Sequence, residues 1–566
     1  MSDVDQATRP APFMQQITSL SWPYWISNIM EVFERLAYYG LRTVLPIYML
    51  LAVEAGGPQF DNIQKGQIYA AWAAVQSFVP VFSGGFADRY GYKLTVFIAI
   101  LIKVAGYLGM AYALEIAVVT SGGASVGVAG HEHVYFWFTA GALLLALGTA
   151  IFKPGLQGVI ATQLDKSNDA LGWSVFYQLV NLGGFLGPFL AGVMRLMEWR
   201  YVFLSCAVIV CINIPLLLTF KEPERPAAAA DDDRSAWQVL VESGAGVIEP
   251  RLFAFLALFS GFWAMFYQLF DLLPNFIDDW VDSSAVLAAT SGLWMALFGE
   301  IPADWGGNLP QEYMINLNAG MIMLFAFAVG YFTGFLRSMQ SMILGILVSA
   351  IGIYGLGVSM AGWVTLGAIA LFSFGEMMAS PTKMRYVAGI APEGKKGLYL
   401  GYVNATTGIG WSLGSLVAGE MYESGGDKVV LARRYLVNEL NQPLEAVSSL
   451  PKTEVLPALQ AAAGLDESGA RELLWGFYGP QEIWQWFAIV GIVSMLGLMA
   501  FDWIVQRDDA REGWFLVVVT GLSTAICYGW FWGAILTGIL LFSVGVHHLT
   551  GRTPVEHAER WGRPVV

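Results

Sequence analysis

Charged side chains are scarce in this sequence. Aspartate, glutamate, lysine and arginine make up 13% of the 566 residues, whereas a soluble protein would carry about a quarter. The net charge of −14 argues against nucleic acid as a partner. The sequence Gly-x4-Gly-Lys-Ser/Thr is absent, so an ATPase of the P-loop type is not indicated.

Reactive side chains are also few. The three cysteines, Cys206, Cys211 and Cys527, lie in apolar runs and are interpreted as packing residues rather than as a disulfide or metal site. No Ser/His/Asp or Cys/His arrangement for hydrolysis is apparent, so we predict neither an enzyme nor a cofactor. The segment up to Ser21 lacks a cleavable signal pattern, and we expect the first spanning helix to direct insertion and to be retained.

The sequence contains long apolar segments. Hydrophobic residues make up 56% of the chain, and a helix needs roughly 20 such residues to cross a bilayer. The segments predict an all-α polytopic membrane protein with lipid as its surroundings. Predicted spans are 22–51, 66–87, 93–119, 134–161, 171–195 and 200–220, then 251–279, 313–336, 340–361, 363–388, 398–422 and 482–505. Two further runs, 513–528 and 529–549, predict an extra C-terminal helix pair and about 14 spans in all.

The spans fall into two six-helix bundles, as in many secondary transporters. We predict an N-terminal bundle at 1–220, a polar cytoplasmic linker at 221–250, a second bundle at 251–505, and the helix pair with its tail at 506–566. Lysine and arginine concentrate in the loops of one side, which places both termini in the cytoplasm. The external insert 423–481 has too few apolar residues to span and should form short amphipathic helices.

The first span carries charges that are costly inside a bilayer. Glu31, Glu34 and Arg35 share roughly one helix face with Tyr38, and Tyr39 lies beside it. A single Asp, Lys or Arg at a helix centre costs roughly 2.5–3.5 kcal/mol. Ionisable groups held at that depth usually mark an ion or solute path. The pattern therefore predicts a polar face that lines a transport cavity.

Other spans contain isolated polar residues. Lys153 either faces the cavity, where it can bind a carboxylate or pair with a first-span glutamate, or snorkels to the interface. Glu376, in a span broken by Pro381, either lines the cavity or makes a structural hydrogen bond. Asn181 is suited equally to interhelical hydrogen bonding and to substrate contact.

The seventh span also has a polar face. Tyr267, Gln268 and Asp271 form it, and Asp271 approaches Pro274 as a residue of the external mouth would. Arg42, one turn beyond Tyr38, is interpreted as interfacial in the same way.

The loop after the second span contains a recognisable pattern. Its residues Gly84, Asp88, Arg89, Gly91 and Lys93 allow a tight turn with paired charges that can latch one conformation of a carrier. The pattern resembles the loop signature of the major facilitator superfamily, Gly-x3-Asp-Arg-x-Gly-x-Lys/Arg, at its expected place. The resemblance implies that superfamily's fold of two six-helix bundles.

Within the superfamily, the spans resemble the proton-dependent oligopeptide transporters. The first-span pattern Glu-x-x-Glu-Arg-Phe-x-Tyr-Tyr matches from Glu31 to Tyr39 with Leu36 in place of phenylalanine, and Lys153-Pro154, Asn181 and Glu376 follow in the family's order. The resemblance implies proton coupling through Glu31, Glu34, Arg35 and Lys153. It implies substrate contacts by Arg35, Tyr39, Lys153, Asn181, Asn318 and Glu376. We also predict Tyr38, Tyr267 and Gln268 as substrate-binding residues, because they lie on the polar faces of their spans.

The chain also departs from the family pattern. Tyr267 stands where the family usually has a glutamate before the glutamine, so the acidic partner of the fourth-span lysine is missing unless Asp271 substitutes. The family's binding-site tryptophan is replaced near Thr407, with Trp411 one turn later. These departures concern the peptide pocket more than the coupling residues.

The sequence thus predicts a proton-coupled symporter of a bacterial inner membrane that imports di- or tripeptides, with the proton as its coupling ion and no other cofactor. A carrier of a non-peptide amphipathic or anionic solute is the alternative within the same class. A non-transporting receptor with the insert 423–481 as its ligand module is the alternative from another class. The oligomeric state stays open.

Overall fold

The fold is helical throughout the part of the chain that the structure describes. A computed structural model describes residues 13–122, 132–165, 168–222, 236–391, 396–507 and 511–551. Extended pairing in these ranges is limited to one isolated bridge between Asp282 and Ala361. The predicted all-α class is confirmed.

Six long helices form the N-terminal half. They are α1 (Trp22–Leu50), α2 (Asn62–Tyr90), α3 (Tyr92–Ala111), α4 (Glu132–Thr162), α5 (Asp169–Met197) and α6 (Trp199–Leu218). A short helix, Phe13–Ser19, precedes α1, and α3 is extended by Ala113–Thr120. Ser21 caps α1 by accepting a hydrogen bond from the Tyr24 N–H, and Asp61 forms a capping box with Gln64 at the start of α2.

The C-terminal half contains six comparable helices and a longer one. They are α7 (Pro250–Asp271, continued by Leu273–Trp280), α8 (Gln311–Thr333), α9 (Ser338–Leu356), α10 (Gly362–Ile390), α11 (Lys396–Gly425), α12 (Glu482–Val505) and α13 (Glu512–Thr550). The backbone of α13 breaks at Gly529, whose φ of 82° suits glycine, and the chain reverses so that Gly521 packs on Thr537.

Ten of the described helices are long and apolar enough to cross a membrane, so the protein is an integral membrane protein. The helices α1, α2 and α11 have 29, 29 and 30 residues but do not meet the same apolar criterion. For α1 the reason is its buried charge. The predicted total of about 14 spans stays a prediction.

Glycine permits a close helix contact in the N-terminal half, between α1 and α5. A Cβ atom at Gly187 would lie 2.5 Å from the Leu36 carbonyl oxygen and 2.6 Å from the Gly40 nitrogen. At Gly183 a Cβ would lie 2.5 Å from the Val32 carbonyl oxygen. Small residues allow such approach inside a membrane, where apolar side chains gain little from leaving lipid. This contact holds the charged segment of α1 in place.

Two helix pairs join the halves. Helix α2 packs along α11, where a Cβ at Gly66 would lie 2.5 Å from the Ser415 carbonyl oxygen, and α5 packs against α8. At the end predicted to be external, Asn62 of α2 donates hydrogen bonds to Glu423 at 2.9 Å and to Asp427 at 3.0 Å. Lys452 of the insert donates to the Leu50 carbonyl at 2.8 Å. The two halves are therefore closed against each other at this end.

Several segments differ from the sequence-based expectation. The predicted linker 221–250 includes a helix, Ala236–Val247, while its residues 223–235 lie outside the described ranges. An apolar helix at Ser284–Phe298, between α7 and α8, was not expected, because the sequence there is too short to span. The insert forms short helices as predicted, at Lys428–Asn438, Leu444–Ser448, Val455–Ala463 and Glu467–Tyr478.

We predict that Gly187→Ala lowers the melting temperature of the purified protein, because the added methyl group forces α1 and α5 apart and overpacking typically costs about 1–3 kcal/mol. Gly292→Ala is the matched control, since a Cβ at Gly292 meets nothing within 4 Å. Thermal unfolding in detergent measures both variants. Equal melting temperatures would show that the α1–α5 contact is not tight.

Candidate functional site

The charged residues of α1 form a buried cluster. Glu31, Glu34 and Arg35 are 2%, 0% and 3% exposed. The Arg35 Nε atom lies 3.0 Å from Glu31 Oε1, and the same guanidinium forms an ion pair with Glu34 Oε2. The i, i+4 spacing of Glu31 and Arg35 places both side chains on one helix face. The structure thus brings together the three residues that the first-span pattern singled out.

Lys103 of α3 completes the cluster, and sequence reasoning missed it. Its side chain is fully buried, and its ammonium donates to Glu34 Oε1 in an ion pair. Gly148 of α4 makes room for the lysine stem, since a Cβ there would lie 2.4 Å from Lys103 Cγ. The available signal was that Lys103 is the only charged residue in the apolar run from 94 to 111.

Each carboxylate oxygen of Glu34 therefore faces a different cation. Arg35 and Lys103 approach it from two helices, so the cluster couples α1 to α3. Removing a charge from water is expensive, and a buried ion pair persists only with close partners. Neutralising Glu34 would leave two cations without their shared acid.

Lys153 of α4 lies beside this cluster but outside its ion pairs. The charges of Arg35, Glu34 and Glu31 act on its ammonium. Among the described residues it has no carboxylate within the 4.0 Å of an ion pair. The predicted direct pairing of Lys153 with a first-span glutamate is therefore not seen in this conformation, and Lys103 occupies that position instead. The half-buried ammonium is left free to meet an anion.

A separate buried ion pair joins the N-terminal and C-terminal halves. Arg42 of α1 contacts Asp271 of α7 at 2.5 Å, and the two residues are 2% and 3% exposed. Asp271 also accepts hydrogen bonds from Trp411 Nε1 at 2.7 Å and from Ser415 Oγ at 2.9 Å. The sequence pattern places Asp271 near the external mouth and Arg42 at an interface. The structure adds that both side chains are buried and that each finds its partner across the bundle interface. Asp271 pairs with Arg42 and does not substitute as a partner for Lys153.

Aromatic rings surround this pair. The Arg42 guanidinium lies 4.4 Å from the Tyr69 ring centre and 4.9 Å from that of Trp411. Tyr267 stacks on Trp411 with 4.1 Å between centroids and 3° between planes. Gln268, predicted to contact substrate, donates to the Ala264 carbonyl at 2.7 Å on its own helix. The polar face of α7 therefore contributes Tyr267 to an aromatic stack and Asp271 to an ion pair with α1.

Glu376 lies on α10 of the C-terminal half. Asn318 of α8 donates to its carboxylate at 2.8 Å and to Ser373 Oγ at 3.0 Å. The Glu376 charge acts on Tyr39 of α1 and on Tyr177 of α5. A carboxylate of the C-terminal half thus interacts electrostatically with phenols of the N-terminal half.

Tyr38 and Asn181 make the remaining described contacts of the predicted residues. Tyr38 donates to Gln76 of α2 at 3.1 Å, and the Arg35 guanidinium lies 5.4 Å from the Tyr38 ring centre. Asn181 donates to the Tyr177 carbonyl at 2.8 Å within α5, and no interhelical hydrogen bond of its side chain is seen among the described residues.

Most of the pattern predicted as a loop lies inside α2, which extends to Tyr90 and so includes Gly84, Asp88 and Arg89. The side chains of these three residues fall outside the described part of the structure. Gly91 has a φ of 106°, which glycine adopts without strain. The Glu222 carboxylate beyond α6 accepts from the N–H groups of Tyr92 at 2.7 Å and Lys93 at 3.1 Å. The loop is thereby tied to the end of the N-terminal half.

Comparison with known proteins places these features in a family. The Major Facilitator Superfamily model matches residues 29–335. Peptide transporter YePEPT of Yersinia enterocolitica is 23% identical over 473 residues, covering 71% of this chain and 88% of the relative. Multidrug resistance protein MdtH of Klebsiella pneumoniae is 21% identical over 399 residues, covering 69% and 85%. Uncharacterized transporter YclF of Bacillus subtilis is 29% identical over 168 residues, and the match spans 30% of that relative's length.

Solved structures show the same fold. Peptide transporter POT in complex with sulfate superposes with a TM-score of 0.54 at 18% identity, covering 86% of this chain and 99% of the other. A POT family transporter in complex with 5-aminolevulinic acid gives 0.53 at 15% identity, covering 81% and 96%. The major facilitator fold expected from the loop pattern is confirmed.

We predict that Lys103→Met lowers the melting temperature strongly, because breaking a buried ion pair costs about 3–5 kcal/mol. The double variant Lys103→Met with Glu34→Gln should recover part of that loss, since the unpaired acid is then neutral. Lys153→Met serves as control and should cost less, as Lys153 has no ion pair in the described chain. A double variant whose loss equals the sum of both single losses would contradict the pairing.

Proposed function

The chain belongs to the major facilitator superfamily, and from this membership we propose that it is a proton-coupled symporter that imports di- or tripeptides by alternating access. Its relatives are membrane transporters rather than enzymes. The observation that carries the proposal is the buried cluster in which Glu34 shares Arg35 and Lys103 while Lys153 stands free beside it.

Protonation would act on this cluster as a switch. A proton taken up from outside neutralises Glu34 or Glu31, and the attraction that holds Arg35 within the cluster weakens. Arg35 and Lys153 then present positive charge to a carboxylate of the solute. Loss of the proton to the cytoplasm restores the ion pairs and resets the empty carrier.

The two ends of a peptide would meet opposite halves. Its carboxylate binds Lys153 and Arg35 of the N-terminal half, and its amino group binds Glu376, which Asn318 orients. Tyr39 and Tyr177 face Glu376 and would contact the peptide between its ends. Binding to both halves at once draws them together, as alternating access requires.

Closure of the external end would depend on Arg42 and Asp271. Their ion pair, supported by Trp411 and Ser415, links α1 to α7 in the closed arrangement. We place this end outside and both termini in the cytoplasm, as the lysine and arginine distribution indicates. We also place the protein in a bacterial inner membrane.

A carrier of a non-peptide amphipathic or anionic solute is the second candidate. The stacked pair Tyr267 and Trp411 favours it, because this aromatic wall stands where the peptide transporter family usually has a charged residue. The flat apolar faces suit a ring or hydrocarbon portion of a solute. Proton coupling through Glu34 is common to both candidates.

We predict that reconstituted wild-type protein accumulates labelled Ala-Ala under an inward proton gradient and that Glu34→Gln abolishes this accumulation. Exchange of Ala-Ala without a gradient should survive in Glu34→Gln, because the cluster is then fixed in its neutral state. Glu54→Gln, at an exposed loop residue, is the control. Undiminished accumulation by Glu34→Gln would contradict the coupling role, and no Ala-Ala uptake by the wild type would favour the second candidate.

We predict a different defect for Asp271→Asn. Both gradient-driven uptake and exchange should fall at least tenfold, because the external end closes poorly once Arg42 loses its acid and every transport cycle passes through that closure. Asp278→Asn, an exposed acid at the same end, should transport normally. The closure proposal fails when Asp271→Asn retains exchange at the wild-type rate.

A further inference from the structure

A buried cation in the C-terminal half has no role in the site described above. Lys383 of α10 is 5% exposed. It follows Glu376 by seven positions, which is about two helical turns, so both residues lie on the same face of α10. In the proposed function Glu376 contacts the solute, which places Lys383 on the same wall of the transport path, nearer the end predicted to be cytoplasmic.

Aromatic rings, not acids, surround Lys383. Its Nζ atom lies 4.0 Å from the ring centre of Trp263 and 5.6 Å from that of Phe259, both on α7. Among the described residues Lys383 forms no ion pair within 4.0 Å and no hydrogen bond. No other charged group of the described chain acts on its ammonium.

Trp263 adds a second donor without an acceptor. Its indole N–H is buried and has no hydrogen-bond partner in the described chain. Trp263 lies one turn before Tyr267 on α7, on the side of Tyr267 away from the Arg42–Asp271 closure. Two donors without an acceptor in the described chain therefore lie together, between Tyr267 and the end predicted to be cytoplasmic.

The Lys383 ammonium and the Trp263 N–H lack a hydrogen-bond acceptor in the described chain. A cation over an aromatic face gains about 0.5–2 kcal/mol, whereas leaving a charged donor buried without a counterion costs more. Lys383 differs in this from Arg35, Lys103 and Arg42, which each contact a carboxylate. A ligand that brings a carboxylate would satisfy Lys383 and Trp263 together.

We propose that Lys383 and Trp263 form an anion-binding subsite on the transport path that takes an acidic side-chain carboxylate of the solute. The inference rests on the proposed function, in which Glu376 binds the solute's amino group. Seven residues of helix rise about 10 Å, and two to three extended residues span about 7–11 Å. A small peptide with its amino group at Glu376 thus has the length to place an acidic side chain at Lys383.

The competing explanation is a closure contact. Lys383 would then pair with an acid of the N-terminal half when the cytoplasmic end closes, and its charge would be needed for every solute. The two explanations differ in one measurable respect, because a subsite discriminates between solutes and a closure contact does not.

The test compares uptake of Ala-Glu and Ala-Gln, which differ by one negative charge and little in shape. Wild-type protein should prefer Ala-Glu by roughly tenfold or more, as a hydrogen-bonded charge contact provides. Lys383→Gln should abolish the preference while retaining Ala-Gln uptake, and Lys383→Arg should keep it. Arg385→Gln is the matched control, since Arg385 is an exposed cation of the same helix that bonds Ser338.

An equal fall in uptake of both peptides by Lys383→Gln, or an unchanged preference, overturns the subsite while leaving proton-coupled transport standing. Failure of the wild type to take up either peptide overturns the peptide proposal instead. Thermal stabilisation by glutarate then decides the subsite separately: glutarate should stabilise the wild type more than Lys383→Gln, and equal effects on the two proteins overturn it.

Discussion

Charge buried at membrane depth must be matched, and the architecture of the N-terminal half follows from this constraint. Glu34 has one oxygen toward Arg35 and the other toward Lys103, and Glu31 holds the remaining side of Arg35. The close α1–α5 contact and the glycine beside the Lys103 stem position these groups. In the proposed function this cluster alternates between an ion-paired state and a protonated state.

The C-terminal half is built differently. Among the described residues the Glu376 carboxylate accepts a hydrogen bond from the Asn318 amide, and the Lys383 ammonium lies over aromatic rings. Neither charge is neutralised by an opposite charge of the described chain. In the described residues Glu34 pairs with two cations, whereas Glu376 and Lys383 form no ion pair. Under the proposed function the N-terminal cluster takes the proton, and Lys153 with Arg35 of one half and Glu376 of the other bind the solute. The Arg42–Asp271 pair links the two halves.

The fold was largely predictable, because helical spans, the polar insert and the C-terminal hairpin leave clear patterns of hydropathy. The first-span cluster was predictable for the same reason, since charge in an apolar run is rare. Lys103 was missed because the sequence around a single lysine does not indicate which helix its side chain contacts. The pairing of Arg42 with Asp271 was not predicted, because it depends on the packing of α1 against α7, which no local pattern specifies. The helix at Ala236–Val247 follows a composition that indicated only a linker.

Infrared difference spectroscopy tests most directly whether a proton resides on Glu34. Reconstituted protein would be compared between alkaline and acidic buffer, in the carbonyl region where a protonated carboxyl group absorbs. We expect acidification to produce a carboxyl band in the wild type that is missing from Glu34→Gln and shifted in Lys103→Met, because Lys103 contacts that carboxylate. Identical bands in the wild type and Glu34→Gln would contradict the account.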